Sequence, residues 1–552
     1  MPAGNPGKAG CNLFAIPLDN LSCRTKTLVL KLFDFSFNYS AFLEHTSSSP
    51  RGQVSLPEDP AAMKKNSYLA IVVLLSLAAC TAVGPDYHAP RREMPGQWQE
   101  KGAALSPVTD LYIGAWWTLF NDPLLDSLVR RASAANYDLR LAEAAVREAR
   151  AQRIIAGATG FLDSSASITH SRRGSDNTSS AGNSQTLFQL GFDAGWELDF
   201  FGGRRRAVEA AEATLQANRE NLRDILVSLQ AEVVRNYVEL RGSQKRLATA
   251  RKNIVTQEKT VDLVRGRFEM GLGNELDLVQ AMTQLALTRA RVPALESSIV
   301  QTMHRLAILL AQSPESLFTE LQGATAIPRV PSPLLVNIPS ELLRQRPDIR
   351  AAERRLAAAT AEIGVATADL FPRFSLTGRL GLQNKSLANL VTTGSRFWSF
   401  GPAIDLSLFD QGEKRAVVDI TKARRDSALT IYQKSVLAAL GEVEDSLVAF
   451  NHEQETRRIL NEAVSSGERA VMIANGRYES GLADFLNVLQ SEQALYLSED
   501  QLAQSEERLT LSMVAIFKAL GGGWQEQSST VPDTHKRPAT KVPKSPTDPP
   551  QL

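Results

Sequence analysis

Two periodicities alternate along the chain. From Arg206 to Val292 there is no proline, and Leu226, Val233, Leu240, Leu247, Ile254, Val261 and Phe268 recur at seven-residue intervals. Val436, Val443, Phe450, Val464, Val471 and Tyr478 repeat that interval, broken only by Arg457. A straight helix drifts about 20° per heptad from such a repeat, so the pattern predicts long helices wound left-handed against others. Gly271 and Gly481 mark the tips where each long helix turns back into a second (275–311 and 483–520), because a tight interhelical turn needs positive φ. Pro293 is expected to bend the first return helix, since it removes a hydrogen bond and crowds the previous turn.

The second periodicity is two. Phe188, Leu190, Phe192, Ala194, Trp196, Leu198 and Phe200 alternate with Gln189, Gly191, Asp193, Gly195, Glu197 and Asp199. Phe374, Leu376, Leu380 and Leu382 alternate with Ser375, Thr377, Arg379 and Gln383, and Trp398, Phe400, Ile404, Leu406 and Leu408 with Ser399, Asp405 and Ser407. Residues 162–170 read as a weaker fourth strand. Such alternation also suits a sheet with one face on a core. The length and aromatic content favour the wall of a transmembrane barrel, which takes about 9–11 residues per crossing. Four strands cannot close a barrel and lipid tolerates no open edge, so several chains must share one; three copies supply twelve strands.

The chain also repeats itself. Val264–Leu272 returns as Ala474–Leu482, Asp138–Arg140 as Asp348–Arg350, and Gly203–Ala207 as Gly412–Ala416. A duplicated unit of this size argues for a ring-like or barrel-like body with pseudo-symmetry. The first repeat covers 126–325, with a helix, a strand pair (161–201) and a long hairpin (203–312). The second covers 335–524, with a helix, a strand pair (371–409) and a hairpin (412–520).

The ends read differently. Met63 opens a secretory signal over 63–79: Lys64 and Lys65 are its basic region, Tyr68–Leu77 its apolar run. That run is too short for a spanning helix of about 20 residues. Residues 1–62 are read as preceding the true start, with a genuine extension as the alternative. Leu77-Ala78-Ala79-Cys80 resembles the bacterial lipobox, which makes Cys80 the acylated residue heading the segment 80–125. Thr81 after it implies sorting to the outer membrane. The only other cysteines are Cys11 and Cys23, so disulfides play no part in the mature chain. The tail 525–552, rich in Ser, Thr, Pro and Lys, reads as disordered.

Composition excludes more than it selects. Sixty-one basic residues against 60 acidic leave no electrostatic footprint for nucleic acid. His45, His88, His170, His304, His452 and His535 are scattered, without metal spacing, a nucleophile arrangement or a phosphate-cradling loop. An enzyme is not expected, nor any cofactor beyond the covalent lipid on Cys80.

Together these features resemble the TolC-type outer membrane factors, and among them the NodT-like efflux lipoproteins. Val83-Gly84-Pro85-Asp86-Tyr87, Trp116-Trp117 with Phe120-Asn121-Asp122-Pro123, and Ala519-Leu520-Gly521-Gly522-Gly523-Trp524 add to the likeness, which spans Cys80 to Trp524. The resemblance implies a mixed α+β membrane protein: a homotrimer with a twelve-stranded outer membrane barrel continued by a long periplasmic helical barrel. It implies an outer membrane channel of a tripartite efflux system, fed by an inner-membrane pump through a periplasmic adaptor. Drug efflux, metal efflux and type I protein secretion share that architecture. A lipidated adaptor is the rival, though it would carry one hairpin rather than two.

The resemblance also assigns roles. Tyr478 and Asp277 match a pair that closes the periplasmic aperture. Asn487 and Gln490 stand where the family often has an acidic ring, which implies weaker cation selectivity, although Asp484 or Glu492 could substitute. Gly271, Leu272, Gly481 and Leu482, within 266–274 and 476–484, match the tips that adaptors grip. Arg204-Arg205-Arg206 reads as a solvated run, with lipid phosphates at the rim as the alternative.

Overall fold

The computed structural model describes residues 82–90, 114–158, 160, 162–173, 185–328 and 345–525, all within the unit Ala78–Leu552. Cys80, the signal segment and the tail 526–552 lie outside the described residues. A short turn, Trp116–Phe120, leads into α1 (Pro123–Ala135), α2 (Tyr137–Ala158), β1 (Asp163–Arg173) and β2 (Gln185–Leu198). Then come α3 (Gly203–Glu269), α4 (Glu275–Leu309) and a single turn, α5 (Phe318–Leu321). The second half runs α6 (Pro347–Ala368), β3 (Arg373–Asn384), β4 (Arg396–Asp405), α7 (Glu413–Glu479) and α8 (Phe485–Ala519).

The duplication holds to the residue. Helices α2 and α6 both have 22 residues, α3 and α7 both 67, and α4 and α8 both 35. Gly202 and Gly412 are the equivalent junctions, each a left-handed N-cap (φ 76° and 87°). Matching Gly203 with Gly412 from the sequence is therefore one residue out of step.

At about 1.5 Å per residue, α3 and α7 each run about 100 Å, far beyond the needs of a globular core. The heptad positions explain what holds them. Leu226, Val233, Leu240 and Val261 are buried on α3, as are Val436, Val443, Phe450 and Tyr478 on α7. Phe268 departs from the stripe and is 40% exposed at the tip. Pro293 sits inside α4, which continues without a break from Glu275 to Leu309.

Of the five apolar clusters among the described residues, the two largest lie along this length. The larger gathers Trp116, Trp117 and Phe120 with Leu125, Tyr237, Leu306, Val443 and Phe517, and joins both halves of the chain. Trp116 stacks on Phe517 with centroids 5.1 Å apart. Asp122 caps α1 by accepting from the N–H groups of Leu124 and Leu125, with Pro123 preset for the first turn. Its other oxygen accepts from the Tyr237 hydroxyl at 2.5 Å. The smaller cluster joins the two hairpins near their tips: Val261, Val264, Ala281 and Leu285 with Ala474, Tyr478, Phe485 and Val488.

Between these clusters, α3 meets α8 along a polar seam. Lys245 pairs with Glu506, Arg246 with Asp500 (2.7 Å), Lys252 with Glu499 (3.1 Å), and the Thr260 hydroxyl donates to Glu492 (2.8 Å).

The strands form one antiparallel sheet in the order β1-β2-β3-β4. The register puts Leu190 opposite Ile168 and Leu382, Phe192 opposite Leu380, and Leu380 opposite Trp398. One face is therefore mostly apolar, interrupted by Ser164, His170 and Arg396, and Ile168, Leu380, Trp398, Phe400 and Ile404 on it are 59–83% exposed. Ser165, Asp193, Arg379 and Ser399 share a row of the other face. Strand β4 ends at Asp405, so Leu406 and Leu408, read from the sequence as part of the alternation, lie beyond it. Edges β1 and β4 have no strand partner among the described residues.

Candidate functional site at the hairpin tips

The two tips are built alike. After Glu269 the chain passes through Gly271 at φ 73°, and after Glu479 through Gly481 at φ 70°. The N–H of Leu272 donates to the carbonyl of Arg267 (2.8 Å), that of Leu482 to Arg477 (2.7 Å), which satisfies helix-end carbonyls in the manner of a Schellman turn. A side chain at either glycine would strain that turn. Asn274 then caps α4 through the N–H of Asp277 (2.8 Å). Leu272 and Leu482 project into solvent, 65% and 71% exposed, beside Met270, Leu276 and Leu486. An open groove of about 710 Å³ runs down the second tip, lined by Ile473, Arg477, Leu482, Asp484 and Asn487.

Tyr478 and Asp277 do not form a bonded pair within one chain. The Tyr478 ring is buried against Phe485 (5.5 Å between centroids), with the Arg267 guanidinium 4.8 Å above it. Its hydroxyl is enclosed and has no hydrogen-bond partner. Burial pushes that hydroxyl above the ordinary tyrosine range; Arg267 opposes the shift and the Asp277 carboxylate adds to it. An enclosed, unbonded hydroxyl costs about 1–3 kcal/mol, so any partner is worth that much to the tip.

Asn487 and Gln490 lie exposed on α8, as does Asp484 at its N-cap. Glu492 does not join them. It is 6% exposed, turned into the seam toward Thr260, and burial raises its carboxyl pKa.

At the opposite end of the long helices, the sequence reading missed a clamp. Arg206 is not solvated. Its guanidinium is buried and donates to the carbonyls of Val83 and Gly84 and to the carboxylates of Asp86 (2.6 Å) and Glu209 (2.8 Å). Val83 N–H donates to Phe201 (3.0 Å), and Gly84 lies so close to Gly364 that a side chain would not fit. The Tyr87 hydroxyl donates to Glu353 (3.0 Å). The segment just after Cys80 is thus strapped to the junction between strands and helices. Neighbouring Arg204 and Arg205 donate from their backbone to Asp199, which caps the cationic start of α3. Only the Val-Gly-Pro-Asp-Tyr spelling signalled this, since the clamp joins residues over 100 positions apart.

Known proteins agree with this architecture. The outer membrane efflux protein family profile matches residues 128–312 and 338–522, one stretch per repeat. Outer membrane protein OprJ of Pseudomonas aeruginosa is 33% identical over 478 residues, 84% of this chain and 97% of that one. Nodulation protein T of Rhizobium leguminosarum bv. trifolii is 30% identical over 469 residues, 84% of this chain and 98% of that one. The solved outer-membrane channel OprN superposes with a TM-score of 0.76 at 38% identity, over 80% of this chain and 99% of that one. Two hairpins alternating with paired strands also set aside the adaptor reading. The chain belongs to the outer membrane efflux protein family: it is an outer membrane channel component.

Proposed function

We propose that three copies of this chain share one barrel and form the passive exit duct of a tripartite pump, carrying drugs or other small molecules from an inner-membrane transporter and a periplasmic adaptor to the outside. The observation that carries this is the sheet: four strands, one exposed apolar face and two unpaired edges. Open edges are untenable in lipid, and closing them with further copies costs nothing new in chemistry. Metal efflux and protein secretion use the same body, and the pump selects the cargo.

Cys80 carries the acyl chains in this reading. Ala82, two residues on, lies against Gly202 at the strand–helix junction. The acyl chains would then enter the inner leaflet next to the barrel, at about 0.8 kcal/mol per buried methylene. Leu272 and Leu482, with Gly271 and Gly481 shaping the turns, offer apolar contacts to the adaptor. Tyr478 and Asp277 constrain the closed aperture, while Asn487 and Gln490 leave it without a fixed acidic ring.

The test is the oligomeric mass of the purified protein in detergent together with its single-channel conductance in planar bilayers. A trimer with a small resting conductance is expected. A monomer that conducts nothing would remove the shared barrel.

A further inference from the structure

On the polar face of the sheet, the described strand residues include one aromatic side chain, Phe397. The register aligns it in a single row with Ser167, Gly191 and Gly381. Two adjacent strand-interior glycines are unfavourable unless something needs the bare backbone. Here Gly381 meets that need, lying between the phenyl ring and the Leu190 carbonyl. A methyl group on Gly381 would stand 2.7 Å from Phe397 Cε1 and run into the Leu190 carbonyl; one on Gly191 would still meet Phe397 Cζ at 3.9 Å. The ring therefore leans from β4 across β3 toward β2, flat against the wall and half-buried. On the same face, the next row toward the helices holds the Arg379–Asp193 ion pair (2.5 Å).

We propose that Phe397, laid across Gly191 and Gly381, forms with its copies an apolar collar that sets the width of the lumen near its outer end. This rests on the shared-barrel reading, which makes the polar face the lumen wall. With one ring per chain, three rings stand at one level above a charged rung. Seated, each ring narrows the lumen by its own thickness and gives departing organic solutes an apolar surface. Unseated, it stands into the path. Gly381 thus decides the bore through the rotamer of a residue on another strand.

The experiment uses the full chain in intact cells with Thr377→Cys, an exposed position on the same face four residues nearer the helices. Labelling from outside by polyethylene-glycol maleimides of graded size is followed against the unsubstituted protein. Phe397→Ala should speed labelling by the larger reagents several-fold, and Phe397→Leu by less. Gly381→Ala should slow it, and Phe397→Ala added to Gly381→Ala should restore most of the speed, the Leu190 carbonyl contact being left. Rates that ignore Phe397 across the whole size series overturn the collar. If even the smallest reagent fails to reach Thr377→Cys in any background, the lumen assignment itself is wrong, and the collar falls with it.

Discussion

Glu507 shows how much one side chain depends on its surroundings. Its carboxyl lies against the bare backbone of Gly242 on α3, so closely that a methyl there would clash. Burial, then the Glu239 charge, push it up to about 7, against the pull of Arg246 and Arg508. The folded chain therefore prefers this carboxyl neutral. Its contribution is fully favourable below about pH 4.5 and is lost as pH rises through about 7. Glu507→Gln, of nearly the same shape, should stabilise on the order of 1–3 kcal/mol at pH 8 and leave stability at pH 4 unchanged. Thermal midpoints of the detergent-solubilised protein at the two pH values check this; an equal gain at both would mean that packing, not charge, is responsible.

At the scale of elements, the hairpins and the seam are held differently. Within each hairpin, apolar heptad contacts are accompanied by ion pairs such as Arg251–Glu296, Arg289–Glu258 and Arg508–Glu453. Between the two large apolar clusters, by contrast, α3 meets α8 mainly through Lys245–Glu506, Arg246–Asp500 and Lys252–Glu499. Apolar contact is indifferent to small slides, but ion pairs have a register. Side chains at Arg246 and Asp500 are 31% and 15% exposed, so their pairing is screened less than a surface pair. Arg246→Asp should destabilise by about 2–3 kcal/mol, setting a carboxylate beside Asp500 and Glu507. Adding Asp500→Arg should recover about 1–2 kcal/mol of it. Melting of the four proteins in a double-mutant cycle gives the coupling; strictly additive effects would show that the pair does not hold the seam.

The same scale shows what was legible in the sequence. The 67-residue helices, the two tips and the strand alternation were all readable, because periodicity and turn glycines are local signals. The Arg206 clamp, the burial of Glu492 and the seat of Phe397 were not. Each depends on a residue from another element: Gly84 and Asp86, Thr260, Gly381. Where strand and helix rules were applied past their ends, as at Leu406 and Leu408, the chain left the strand after Asp405.

For the whole molecule, the proposed trimeric duct calls for a contact that closes it. The Tyr478 hydroxyl is enclosed and unbonded within one chain, so a partner gained on assembly would add directly to closure. Tyr478→Phe together with Asp277→Ala is expected to raise the resting single-channel conductance and to leave the oligomer intact. An unchanged conductance with unchanged drug sensitivity would remove both residues from the aperture.

What the sequence determined alone was the repeating plan: two copies of helix, strand pair and long hairpin, with which face of each element is apolar. Helical and strand periodicity encode burial directly, and a duplication copies that code with its spacing. What only the tertiary structure decided was which polar groups are taken out of water. Arg206, Glu492 and Glu507 look like surface charges in their own helices, and become buried, Glu507 in part, because a segment more than 100 residues away covers them. Burial of a charge depends on the partner element's position and not on the local pattern, so no window along the chain contains it.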